Sequence, residues 1–149
     1  MASSRIVWCA LVLCMSGVAF GSSPTSASED GFKVIVHHTN AINVVDRGFL
    51  RAVFLKTAIR WSHDNRSVRP IDLPKEHPAR DQFTKDILAK APAQIRTYWI
   101  QRIFSGTAVP PPEAASISAA VAYVLANPGA VAYIPAAADA GGTKVVRVD

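Results

Sequence analysis

Cysteine is almost missing from this 149-residue chain: only Cys9 and Cys14 occur, both close to the start. Everything after residue 14 must therefore fold without a disulfide framework, and it has neither a thiol nucleophile nor a cysteine zinc site. A domain of this kind rests on its hydrophobic core alone. No apolar run reaches the ~20 residues that a membrane-spanning helix needs. The longest, Ile6–Phe20, has 15. Basic residues outnumber acidic ones 16 to 11, but they are scattered. No Lys/Arg block is interleaved with aromatics, which excludes the usual nucleic-acid footprint. There is no Gly-x-Ser-x-Gly elbow and no His-x-x-Glu-His-like spacing, so no catalytic residue, cofactor or metal is expected. His37 and His38 are adjacent on a strand candidate, where neighbours point to opposite faces and do not share an ion.

What is present begins with an export pattern. Arg5 precedes the apolar Ile6–Phe20 run, and small residues follow it, the order of a cleavable secretory signal. Ala19-Phe20-Gly21 places the cut after residue 21, and Thr25-Ser26-Ala27 offers a later one. Two alternatives stay open, an uncleaved anchor and a lipoprotein cut before Cys14, although Leu13 is not the small residue a lipoprotein needs. The expected organisation is a signal over 1–21, a disordered Ser/Thr/Pro-rich leader over 22–31 and one α/β domain over 32–149. The expected location is periplasmic or secreted, with no membrane insertion after cleavage. Loss of Arg5 leaves fifteen basic against eleven acidic residues, a net +4. A small positive excess suits an anionic ligand and also occurs without one.

Along the domain, Lys33–His38 reads as a strand whose consecutive β-branched residues suit burial on both faces, as in a parallel sheet. Asp46 is placed to cap a helix that buries Phe49, Leu50, Val53 and Phe54. Arg47 and Arg51 fall on its wet side. Ser67–Leu73 is a second strand, and Pro70 puts it at an edge. A helix follows over 79–89, burying Phe83, Ile87 and Leu88, with Asp81–Lys85 and Asp86–Lys90 as i, i+4 pairs. Pro92 opens another helix, expected to bury Ile95, Tyr98 or Trp99, and Ile103, and Gly106 ends it. A polyproline link over 109–112 leads to an alanine-rich helix over 113–126, stopped by Asn127-Pro128-Gly129. Ala130–Pro135 and Lys144–Val148 are the last strands. The alternation predicts an α/β sandwich around a mostly parallel sheet flanked by helices.

Three stretches carry a resemblance. Phe49–Lys56 followed by Arg60-Trp61, then Val68-Arg69-Pro70-Ile71-Asp72, then Val121–Val124 with Pro128-Gly129-Ala130-Val131-Ala132-Tyr133-Ile134-Pro135, resemble the phosphate-binding proteins of ABC transporters. These belong to the periplasmic-binding-protein type II superfamily. The resemblance runs over residues 33–149. It implies a single lobe of that fold and a non-catalytic role, binding phosphate or a similar oxyanion for an ABC permease. Two departures accompany it. Full proteins of this kind have two lobes, and this chain has length for one. Where the family carries a Ser-Gly-Thr cradle after the second strand, this chain reads Leu73–Arg80, and its own Ser105-Gly106-Thr107 comes a helix later.

Two anion sites are candidates. The loop before the second helix brings Lys75, His77 and Arg80 to a helix start, where free N–H groups and the dipole favour negative charge. Ser105, Gly106 and Thr107 offer hydroxyls and backbone donors, although at a helix end the exposed groups are carbonyls. The alternative function is an envelope protein-interaction module that keeps the fold without a ligand. Trp61, Tyr98, Trp99 and Phe104, with the proline link, are candidates for its surface.

Overall fold

The computed structural model describes residues 31–149; the expected signal and most of the expected leader lie outside the described residues. Five strands form one sheet: β1 (Phe32–Val36), β2 (Val44–Val45), β3 (Arg69–Pro70), β4 (Ala130–Pro135) and β5 (Lys144–Val148). Their spatial order is β2-β5-β1-β4-β3. The helices are α1 (Arg47–Phe54), α2 (Pro78–Phe83, continued by a π turn over Thr84–Leu88), α3 (Pro92–Phe104) and α4 (Ile117–Ala126).

The sheet corrects the mostly parallel expectation in one respect. β2 runs parallel to β5, and β3 to β4, but β1 is antiparallel to both β4 and β5. Four strands thus share a direction, and the central one opposes them. Val34, Ile35 and Val36 are fully buried as expected. The reason is that β5 and β4 pair both edges of β1 while α2 and α4 pack on the sheet over it, whatever the strand direction. β4 and β5 point the same way on either side of β1, so the link over residues 136–143 must run back along the sheet. It carries Ala138 and Ala140 against the core.

Local chemistry explains the elements. Asp46 caps α1, its carboxylate accepting from Phe49 N–H at 2.8 Å. Arg47 and Arg51 are not idle on a wet face: they donate to the carbonyls of Asp86 (2.9 Å) and Ile87 (2.8 Å). They thereby satisfy the open carbonyl end of the π turn. On edge strand β3, Arg69 and Ile71 donate to Gly129 and Val131 of β4. Pro70 falls between them, where its missing N–H costs no ladder bond. Phe83 stacks on Tyr133 at 3.9 Å, with Phe54 and Phe32 edge-on or tilted around the pair. This cluster fixes α1 and α2 over one face of β1 and β4, each aromatic pair adding ~0.5–1.5 kcal/mol beyond its burial.

Two expectations change, and one strand is new. β2, only two residues long, is too short to show a pattern. α4 starts at Ile117 rather than 113, because Ser116 caps it by accepting from Ala119 N–H at 3.1 Å; Glu113 is therefore free to act elsewhere. α3 begins at Pro92 and ends before Gly106 (φ +66°) as expected, but none of its residues is fully buried, and Ile103 is 52% exposed. Among the described residues no helix is long and apolar enough to cross a membrane.

Candidate functional site

Arg80 sits on the third residue of α2 and reaches back across the end of β3. Its guanidinium meets the Asp72 carboxylate at 3.0 Å, the Glu113 carboxylate at 2.8 Å and the Leu73 carbonyl at 2.6 Å. Asp72 also accepts from the Tyr133 hydroxyl. Residues 72 and 113 pair as a parallel bridge, which delivers both acids to one arginine. Burial raises the Asp72 pKa, with Arg80 pulling the other way. Burial also opposes the charge on Arg80, but Asp72 and Glu113 more than offset it and its pKa rises. The Arg80 hydrogen bond holds Glu113 below the usual carboxylate range. Burial and the nearby Asp72 push Tyr133 well above the ordinary phenol value.

The first sequence candidates therefore have internal employment. Arg80 is neutralised by two carboxylates. His77 is the N-cap of α2, its Nδ1 accepting from Ala79 N–H at 3.2 Å. Lys75 N–H donates to Glu113 at 3.3 Å, and the Lys75 ammonium stays exposed. The second set closes the far end of α3. Gly106 is left-handed, Ser105 Oγ donates to the Arg102 carbonyl at 3.2 Å, and Thr107 N–H bonds that same carbonyl at 3.0 Å. These groups satisfy carbonyls, which is a C-cap role. No hydrogen bond among the described residues joins the two sets.

Sequence reasoning missed a third place. Thr39, Arg66, Ser67, Arg69, Asn127 and Pro128-Gly129 line an open groove of about 510 Å³. It lies beside the start of β3 and the turn into β4, where the end of antiparallel β1 brings Thr39. Arg69 donates to the Asn127 side-chain carbonyl at 3.1 Å, a neutral partner. Arg66 has one loose acid, Asp64 at 3.5 Å, and its side chain is 48% exposed. Two arginines, a threonine and a serine thus line one concavity, and among the described residues Asp64 is the one carboxylate paired with either arginine, a donor set suited to an oxyanion. The turn is held by Gly129, whose carbonyl accepts from Trp61 Nε1 at 3.1 Å and from Arg69 N–H at 2.9 Å. The lining residues come from three separate stretches, at 39, 66–69 and 127–129, so no local motif could announce them.

The two histidines also differ from expectation. β1 ends at Val36, so strand alternation does not reach them, and their rings lie 4.1 Å apart. His37 Nδ1 shares a hydrogen bond with Thr39 Oγ1 at 2.7 Å. Among the described residues no three potential ligands gather around a common point.

No protein-family profile and no curated protein matches the sequence. Solved structures do match. One is a phosphate ABC transporter substrate-binding protein, by its description, from Clostridium perfringens with bound phosphate (16% identity, TM-score 0.63, covering 80% of this chain and 45% of that one). Another is an ABC-type phosphate transport receptor from Vibrio cholerae (15%, 0.61, 80% and 46%). A third is PstS from Borrelia burgdorferi (11%, 0.60, 79% and 47%). The chain has the fold of these phosphate-binding proteins. It spans less than half the length of each. The α/β reading and the family resemblance thus hold at the level of the binding-protein fold.

Proposed function

We propose that this chain is an exported, non-catalytic solute-binding lobe that takes a small oxyanion such as phosphate and serves an ABC permease. The observation that carries this reading is the fold match to binding proteins named for phosphate, one of them with phosphate bound. The oxyanion is assigned to the Arg66–Arg69 groove rather than to Lys75, His77 and Arg80, or to Ser105, Gly106 and Thr107. The groove arginines keep positive charge available, whereas Arg80 is spent on Asp72 and Glu113. Isothermal titration of the purified chain with phosphate and sulfate tests it. Saturable binding is expected, lost in Arg66→Ala/Arg69→Ala and retained in Lys75→Ala. Absence of heat at about millimolar ligand overturns the reading. Loss of binding in Lys75→Ala alone moves the site to the α2 loop.

A second reading is the interaction module, and one observation favours it. α3 turns Phe104, 87% exposed, and Ile100, 47% exposed, to solvent. Large apolar side chains grouped on one surface mark a docking face.

A further inference from the structure

α3 is attached to the rest of the domain by few contacts. Ile95 and Tyr98 are half-buried, the Tyr98 hydroxyl donates to the Leu55 carbonyl at 2.7 Å, and Arg102 folds back over the Tyr98 ring. Its outward side is unlike that of a helix meant for water. Trp99, Ile100, Ile103 and Phe104 follow one another at i, i+1, i+4 and i+5, the spacing of a buried seam, yet the last three are 47%, 52% and 87% exposed. One charge, Arg96, stands one turn before this stripe. The helix contains no acid, and its other cation, Arg102, is turned away to bond the Tyr98 hydroxyl at 3.1 Å.

We propose that a second copy of this chain covers α3, the two helices packing antiparallel about a two-fold axis between Gln101 and Arg102. The stripe is self-complementary in that arrangement, and only an antiparallel pair brings Arg96 to the opposite end of the second helix. Trp99 meets Phe104 of the second copy, and Ile100 meets Ile103. Arg96 meets the Ser105–Thr107 end of the second helix, where the negative end of the helix dipole favours a cation. A two-fold interface demands this reciprocity, because each contact must occur twice. A membrane surface is the poorer occupant: such helices line their polar face with several cations, and this one presents a single arginine beside its apolar stripe. A lone helix pair covers less than the ~800 Å² per partner of a standard interface, so the association is weak and concentration-dependent. This inference rests on the interaction reading and is independent of oxyanion binding.

Sedimentation equilibrium of the purified chain tests it. A monomer–dimer equilibrium is expected, and Ile103→Glu and Phe104→Glu should each weaken it at least about tenfold while leaving the circular-dichroism spectrum unchanged. A second measurement does not depend on those variants. In a Cys9→Ser/Cys14→Ser background, Ile100→Cys/Ile103→Cys should form a disulfide-linked dimer under mild oxidation, and Ala119→Cys on α4 should not. A chain that stays monomeric, association unaffected by Ile103→Glu, equal cross-linking from Ala119→Cys, or recruitment of the monomer to phosphatidylglycerol vesicles through Phe104 would each overturn the proposal.

Discussion

The Tyr133 hydroxyl donates to the half-buried Asp72 carboxylate, tying the middle of β4 to the segment that follows edge strand β3. Asp72 in turn holds Arg80, and Arg80 holds Glu113. One chain of polar contacts thus joins the sheet, the start of α2 and the segment before α4, and several expected outcomes follow from its parts.

Tyr133→Phe should keep the ring stacked on Phe83 and remove a donor from Asp72. The expected cost is about 1–3 kcal/mol, read as a lower denaturant midpoint at unchanged slope. The sign with pH is defined. Asp72 already has a raised pKa in the folded state, and loss of the donor raises it further. A raised acid pKa means that the folded state binds the extra proton, so stability falls as pH climbs from the unfolded value near 3.8. The gap between Tyr133→Phe and the parent should therefore widen as pH rises through the parent's folded-state Asp72 pKa, which lies above that point.

Glu113→Gln should behave in the opposite sense. Glu113 has a depressed pKa in the folded state, so its contribution is present above the unfolded value of 4.5 and lost as pH falls through the folded one. Thermal melts of the two proteins should differ most above that pH and converge in acid. The glutamate side chain is 38% exposed, and the difference should not exceed about 1 kcal/mol.

Gly129→Ala should be the most damaging single change outside the core. A Cβ there would lie 2.2 Å from the Ser67 backbone oxygen, so the β3–β4 junction must move. The Arg69 and Trp61 bonds to the Gly129 carbonyl move with it. The expected result is a loss above about 3 kcal/mol, seen as a collapse of soluble yield or of the melting temperature.

Asp46→Ala removes the cap of α1. The expected cost is about 1 kcal/mol in a denaturant titration, with the fold retained. A smaller loss for Asp46→Asn would identify hydrogen bonding rather than charge as the active property.

Much of the architecture was legible from local chemistry. Asp46, Pro92, Gly106 and the Asn127-Pro128-Gly129 stop act on their own neighbourhoods, so their roles can be read from adjacent residues. Phe83, Ile87, Val124 and the apolar strands announce themselves by periodicity, and the stretches around Trp61, Val68 and Tyr133 carried the fold resemblance. What remained hidden depends on which segments meet. Periodicity reports that a strand is buried but not its direction, so the reversal of β1 was invisible. Lys75, His77 and Arg80 looked like free donors because the acids that occupy Arg80 come from residues 72 and 113. The groove collects Thr39, Arg66, Arg69 and Asn127 from three separate connections. The apolar stripe of α3 looked like core because spacing marks an apolar face without saying what covers it. Capping, turn and burial tendencies are short-range properties and belong to the sequence itself; charge pairing and exposure are set by long-range neighbours, and only the tertiary structure decided them.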